Sequence, residues 1–210
     1  EARERTMDDG WRDRVRAEPD LLRMGRGQSA EDRNLGLGGL YYGLGRAFRP
    51  SHVVCIGSFR GFVPMLFARA LQDNGGEGRV TFIDPSLVDD FWTEPERVQT
   101  WFARFGIDRI DHHRMTTQDF AASGRVATLA PVDLLFVDGL HTAEQARIDH
   151  ETFLPVLSEQ ALVLFHDSVA RRTSHLYGED RVYRYSVADY MDTLKARDDL
   201  QVIDLPLVHG

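Results

Sequence analysis

From residue 52 onward, short apolar runs alternate with stretches whose apolar residues recur at helical spacing. Runs at 52–57, 79–84, 111–116, 132–138 and 161–167 predict strands, and residues 61–73, 94–105, 142–157 and 187–197 predict helices. Leu134-Leu135-Phe136-Val137 and Leu162-Val163-Leu164-Phe165 are apolar at every position, whereas a strand with one wet face would alternate. Such strands are buried on both sides. The expected fold class is therefore α/β: a Rossmann-like, doubly wound, mostly parallel sheet with helices on both faces. A last run, 201–208, reads as one further strand.

Ahead of the sheet, residues 1–25 are dense in Arg, Asp and Glu, with Trp11, Val15, Leu21, Leu22 and Met24 at loose helical spacing. A helix capped by Ser29 follows, carrying Leu35, Leu37, Leu40, Tyr41 and Leu44 and weakened by five glycines. Residues 1–48 are expected to form a helical arm or lid, and 49–210 the Rossmann-like core of a single domain. No repeat or linker divides the 210 residues.

Composition narrows the classes. A chain with 42% hydrophobic and 28% charged residues suits a soluble globular protein. Its net charge of -8 counts against a nucleic-acid partner, because phosphate binding draws on clustered Lys and Arg. Cys55 is the single cysteine, so neither an internal disulfide nor a Cys-based zinc site can form, and a reducing, cytoplasmic setting is expected. No run approaches the ~18 apolar residues of a membrane span. The expected partner is a small-molecule substrate, with no nucleic acid and no membrane. A homo-oligomer stays open, since the Trp11 arm could cover a second subunit or its own sheet.

In an open α/β sheet ligands bind beyond the carboxyl ends of the strands, and four of the five predicted strands end in residues with chemistry. The loop Gly57-Ser58-Phe59-Arg60-Gly61 joins a strand to a helix through two glycines that let the backbone turn tightly beside a ligand. It lacks the third glycine of the dinucleotide fingerprint. Asp84 ends the second strand, where a carboxylate can accept both hydroxyl hydrogens of a ribose lying over that loop. Loop and acid together select a nucleoside-bearing cofactor, although Asp84 could instead cap the Pro85-Ser86 turn.

Asp138 closes one buried strand and His166-Asp167 the next. Adjacent strands lie ~4.8 Å apart, so Asp138, His166 and Asp167 could share Mg2+ or another divalent metal, or contact substrate without one. His141, three residues beyond Asp138, is a candidate base or ligand with an ordinary pKa near ~6.5. His112, His113, His150, His175 and His209 have no such company and read as surface or structural residues.

The succession V-V-C-I-G-S-F-R-G, T-F-I-D, D-L-L-F-V-D-G-L-H and L-V-L-F-H-D-S resembles the class I S-adenosylmethionine-dependent methyltransferases. The last two segments resemble more narrowly the small-molecule O-methyltransferases of the cephalosporin hydroxylase-like and macrocin-type group, and more distantly catechol O-methyltransferase. Over residues 27–170 the resemblance implies S-adenosylmethionine as cofactor: its methionine part along Gly57, Ser58, Phe59 and Gly61, its ribose on Asp84, its adenine near Thr117, Gln118 and Asp119, with Asp138 beside it. It also implies a metal at Asp138, His166 and Asp167, where catechol-type enzymes carry Asp, Asp and Asn, and a base at His141 in place of lysine. Cys55 stands where these enzymes often have an acid. They also close the sheet with a seventh, antiparallel strand, for which little chain remains after residue 208.

The expected function is O-methylation of a small-molecule hydroxyl, possible with metal assistance. The residues leave three competitors open: an NAD(P)-dependent oxidoreductase, a metal-dependent hydrolase or hydroxylase, and an inactive cofactor-binding module. The N-terminal arm, Phe91-Trp92 and the segment 171–184 are expected to roof the crevice, their aromatics and arginines hinting at an aromatic or anionic substrate.

Overall fold

The computed structural model describes residues 7–22, 28–29, 34–129 and 131–205. Five strands, β1 (His52–Gly57), β2 (Arg79–Ile83), β3 (Ile110–His113), β4 (Val132–Asp138) and β5 (Leu157–Phe165), form one sheet in the order β3-β2-β1-β4-β5. Every pairing is parallel. The chain builds outward from β1 to β3, then crosses back to lay β4 against the free side of β1. That reversal places a crevice between β1 and β4, the switch point at which such sheets bind ligands.

Because side chains alternate across a strand, neighbouring residues enter opposite layers. Val53, Cys55, Val80, Phe82, Leu134 and Phe136 pack beneath α1 (Asp9–Arg16), the one-turn α2 (Pro19–Leu22), α3 (Leu37–Phe48), α4 (Phe62–Asp73) and α5 (Pro95–Ala103) through Trp11, Leu21, Tyr41, Phe67 and Phe102. Val54, Ile56, Ile83, Leu135 and Val137 meet Phe120 of α6 (Thr117–Ala122) and Phe153 of α7 (Ala143–Phe153) on the other face. A final helix, α8 (Val187–Lys195), sets Val187, Met191 and Leu194 beside Ala146 of α7. Double-sided burial explains the unbroken apolar runs of β1 and β4.

The structure departs from the sequence expectations in several places. Residues 201–205 carry no strand, and residues 206–208 of that expected strand lie outside the described residues, as do Met24 and the Ser29 side chain. Helix α6 was not expected: Thr116 caps it by accepting from the Asp119 N–H, a short-range signal over only six residues. Strand β5 starts at Leu157, four residues before the expected 161, after a 3-10 turn at Leu154–Val156. Trp11 and Val15 are fully buried against the protein's own core, and the Trp11 indole donates to the Phe105 carbonyl at 2.8 Å, so α1 buttresses the α4–α5 side. No helix among the described residues is long and apolar enough to cross a membrane.

Candidate functional site

A cleft of about 640 Å3 opens at the carboxyl ends of the strands and gathers Gly57, Ser58, Phe59, Asp84, Thr117, Gln118, Asp138, His141, His166 and Asp167. Two expected residues lie outside it. Gly61 caps α4, and a Cβ there would sit 2.7 Å from the Phe102 ring, so this glycine serves helix packing. Asp119 is exposed and its carboxylate accepts from the Thr116 hydroxyl at 2.8 Å, completing the cap of α6.

The glycine-loop end is built from backbone. Gly57 has φ +71°, and a Cβ on it would stand 2.0 Å from the Asp138 carbonyl oxygen, because Gly57 and Asp138 are register partners at the end of β1 and β4. Ser58 (φ 128°) and Phe59 (φ 47°) follow in the left-handed half of conformational space, which for non-glycine residues costs about 1–3 kcal/mol each. Two indoles hold the loop in place. Trp92 donates to the Phe59 carbonyl at 2.6 Å and Trp101 to the Arg60 carbonyl at 2.9 Å. Trp92 thus both lines the cleft and ties down the loop. Arg60 lies over the rings of Phe59 and Phe91 and forks onto Asp89 at 3.0 and 2.7 Å.

Across from the loop, Asp84 accepts from its own Ser86 N–H through Oδ1 at 2.7 Å; no hydrogen bond engages Oδ2 among the described residues. Burial raises its carboxyl pKa to about 6 against the lowering effect of that N–H. Beyond Asp84 lie Met115, Thr117 and Gln118. Asp149 joins them from α7, an acid in a polar helical stretch that no pattern along the chain singles out. Its Oδ1 accepts from the Thr117 hydroxyl at 2.5 Å and the Gln145 amide at 2.7 Å, and its carboxyl is likewise raised by burial to about 6.

The other end is made of side chains. His166 Nδ1 and His141 Nε2 approach the same oxygen, Asp138 Oδ1, at 3.1 and 3.0 Å. Asp167 Oδ2 stands 3.5 Å from His141 Nε2, 3.7 Å from His166 Nδ1 and 3.6 Å from Arg172. Burial works against charge on Asp138, but the two imidazoles outweigh it and hold its carboxyl far below the usual carboxylate range. Burial likewise lowers the pKa of His166, and the Asp138 carboxylate overrides this and drives it well upward. His112 shows the contrary case: stacked on Phe82 and Trp92 and away from the cleft, it is pulled down by burial to about 4.

This end suits a divalent cation. One ligand atom each from Asp138, His141 and His166 lies within 4.8 Å of the others. His166 Nδ1, which faces Asp138 Oδ1 at 3.1 Å, and Asp167 Oδ1 are buried without a well-formed hydrogen bond, so atoms of ligating type converge there. The close histidine contacts to Asp138 thus resemble ligands sharing a centre.

Residues 54–168, more than half of the chain, match the family described as "Methyltransferase domain". An uncharacterized protein, y4gI, from Sinorhizobium fredii (strain NBRC 101917 / NGR234) is 29% identical over 144 residues, covering 61% of this chain; the chain spans 14% of that relative's length. Among solved structures, the O-methyltransferase TomG from Streptomyces achromogenes, involved in tomaymycin synthesis and in complex with SAM, superposes with a TM-score of 0.60 at 19% identity, covering 91% of this chain and 78% of that one. SAH-bound methyltransferase PaMTH1 from Podospora anserina gives 0.63 at 17% identity, with 95% and 82% covered. An O-methyltransferase from Bacillus cereus in complex with SAH gives 0.62 at 14%, with 91% and 81% covered. At such identities the likeness is one of fold, and the matched family segment contains the loop, Asp84 and the Asp138–Asp167 cluster. The chain belongs to the methyltransferase domain family, on the class I fold of S-adenosylmethionine-dependent enzymes.

Proposed function

We propose that this protein transfers the methyl group of S-adenosylmethionine to a hydroxyl oxygen of a small molecule, with a divalent cation such as Mg2+ at Asp138, His166 and Asp167. The observation that carries this reading is the continuity of one cleft from the strained loop and Asp84 to the Asp138–His141–His166 cluster. The cofactor supplies an electrophilic sulfonium methyl, and the cation, when bound, supplies Lewis acidity that lowers the pKa of a nearby hydroxyl.

The chain's own residues do the rest by position. Gly57, Ser58 and Phe59 offer a fixed backbone to the methionine part. Asp84 Oδ2 accepts from ribose hydroxyls, and Met115, Thr117 and Gln118 border the base. Holding donor and acceptor in line supplies much of the rate enhancement. His141 Nε2, beside Asp138 Oδ1 and Asp167 Oδ2, takes the hydroxyl proton. Leu176 and Tyr177, from the segment after β5, line the cleft and exclude water. Among the described lining residues the one guanidinium, Arg60, is already held by Asp89, while several carboxylates line the same cleft; this favours a neutral acceptor over an anionic one.

The test is incubation with methyl-labelled S-adenosylmethionine and a panel of neutral hydroxylated acceptors, with and without EDTA. The proposal predicts label on oxygen, abolished by EDTA and restored by Mg2+. Label on nitrogen or carbon, or EDTA-insensitive transfer, would contradict the corresponding part of it.

A further inference from the structure

The segment between β5 and α8 holds His141 in an unusually complete grip. Thr173–Ser174 and Tyr183–Arg184 form a short antiparallel ladder. Just beyond its second strand, the Ser186 N–H donates to the His141 carbonyl at 3.0 Å, and the Ser186 hydroxyl accepts from the Ala143 N–H at 2.9 Å. The backbone on which His141 rides is thereby tied to this ladder. Tyr183 and Tyr185, two residues apart and so on one side of the strand, both reach the imidazole. The Tyr185 ring stacks on it at 4.4 Å and 20°, and the Tyr183 hydroxyl meets Nδ1 at 3.3 Å.

These two contacts fix different things. A stacked ring sets the plane of the imidazole but is nearly indifferent to a 180° flip about the Cβ–Cγ bond, which keeps that plane. The hydroxyl is not indifferent, because the flip would exchange a nitrogen for a carbon at its partner. Tyr183 at Nδ1 therefore acts with Asp138 Oδ1 at Nε2 to fix which edge faces the ladder and which faces the carboxylates. Since a phenol can donate or accept, it serves His141 both when Nδ1 is bare and when Nδ1 carries the proton and leaves the Nε2 lone pair open to the cleft. Burial pushes the Tyr183 hydroxyl pKa upward, so it stays un-ionised.

We propose that Tyr183 is the positioning residue for His141: its hydroxyl selects the ring orientation that delivers Nε2 to the reacting centre. The inference rests on the reading of His141 as the base. It is the kind of outer contact whose loss costs about 10–100-fold where it orients a functional histidine.

The test is Tyr183→Phe, which keeps the ring stack and removes one oxygen. Imidazole 15N correlation spectra of the histidine-labelled protein, with His141 assigned by its loss in His141→Asn, should show one His141 environment in the wild type and an altered or doubled one in the variant. The turnover number should fall about tenfold or more with KM and S-adenosylhomocysteine affinity unchanged. Should Tyr183→Phe not fold, the wild-type spectra still judge the inference: a His141 Nδ1 signal with no sign of a hydrogen bond to a hydroxyl overturns it. Unchanged His141 signals would overturn the inference, and so would a KM effect in place of a turnover effect. The spectra judge Tyr183 even if no acceptor is methylated, so failure of this inference and failure of the methyl-transfer reading are distinguishable.

Discussion

The two ends of the cleft are built on opposite principles. At the loop end, the shape belongs to the backbone: Gly57 has no room for a methyl group, Ser58 and Phe59 sit in costly conformations, and two indole N–H groups hold the carbonyls. At the other end the backbone is ordinary apart from Asp167 (φ 50°), and the chemistry lies in carboxylates and imidazoles brought within hydrogen-bond distance. The first end should be sensitive to volume and indifferent to charge. The second should behave the other way round.

Substitutions can break this contrast, and the largest effect is expected at the loop. Gly57→Ala puts a Cβ 2.0 Å from the Asp138 carbonyl oxygen, so β1 and β4 must part locally; a loss of about 4 kcal/mol or more in urea unfolding is predicted. At the acidic end, Asp138→Asn is nearly isosteric and should leave the fold intact, while activity falls by about a hundredfold or more and Mg2+ no longer restores it after EDTA. Equal loss of stability in the two variants would erase the distinction.

A smaller effect sharpens it. Asp84 stands between the two ends, with a carboxyl whose pKa is raised by burial to about 6. Its ionised form accepts from ribose hydroxyls, so S-adenosylhomocysteine affinity should hold above pH 6 and decline as the pH falls through it. Asp84→Asn should weaken binding about 10–100-fold at pH 7.5 and flatten that pH dependence. Smallest is Trp92→Phe, which keeps the ring stacked on Phe102 but removes the donor to the Phe59 carbonyl; about 1–2 kcal/mol of stability should be lost, read by thermal melting.

The contrast also explains what the sequence could tell. The sheet was legible because β1 and β4 are apolar at nearly every position, a pattern imposed by burial on both faces. Asp84, Asp138, His141, His166 and Asp167 were legible because strand ends converge in this architecture, so position along the chain predicts position in space. Gly57 was read as a residue that lets the backbone approach a ligand; the neighbour it approaches within the fold is Asp138, 81 positions on by their numbers. Gly61 looked identical and serves Phe102 instead. The grip of Tyr183 and Tyr185 on His141 crosses 42 residues and leaves no periodic trace, and Asp149 is one acid in a polar helix until the fold buries it. The tie from Trp92 to the loop was not legible, because an aromatic pair after a strand end says nothing about which carbonyl its indole N–H will meet.

The most direct measurement is calorimetry of the wild-type protein and Asp84→Asn with S-adenosylhomocysteine and, separately, with NAD. The account predicts that S-adenosylhomocysteine binds with 1:1 stoichiometry, that Asp84→Asn weakens this binding, and that NAD produces no heat. Binding of NAD in its place, or S-adenosylhomocysteine binding indifferent to Asp84, would contradict it.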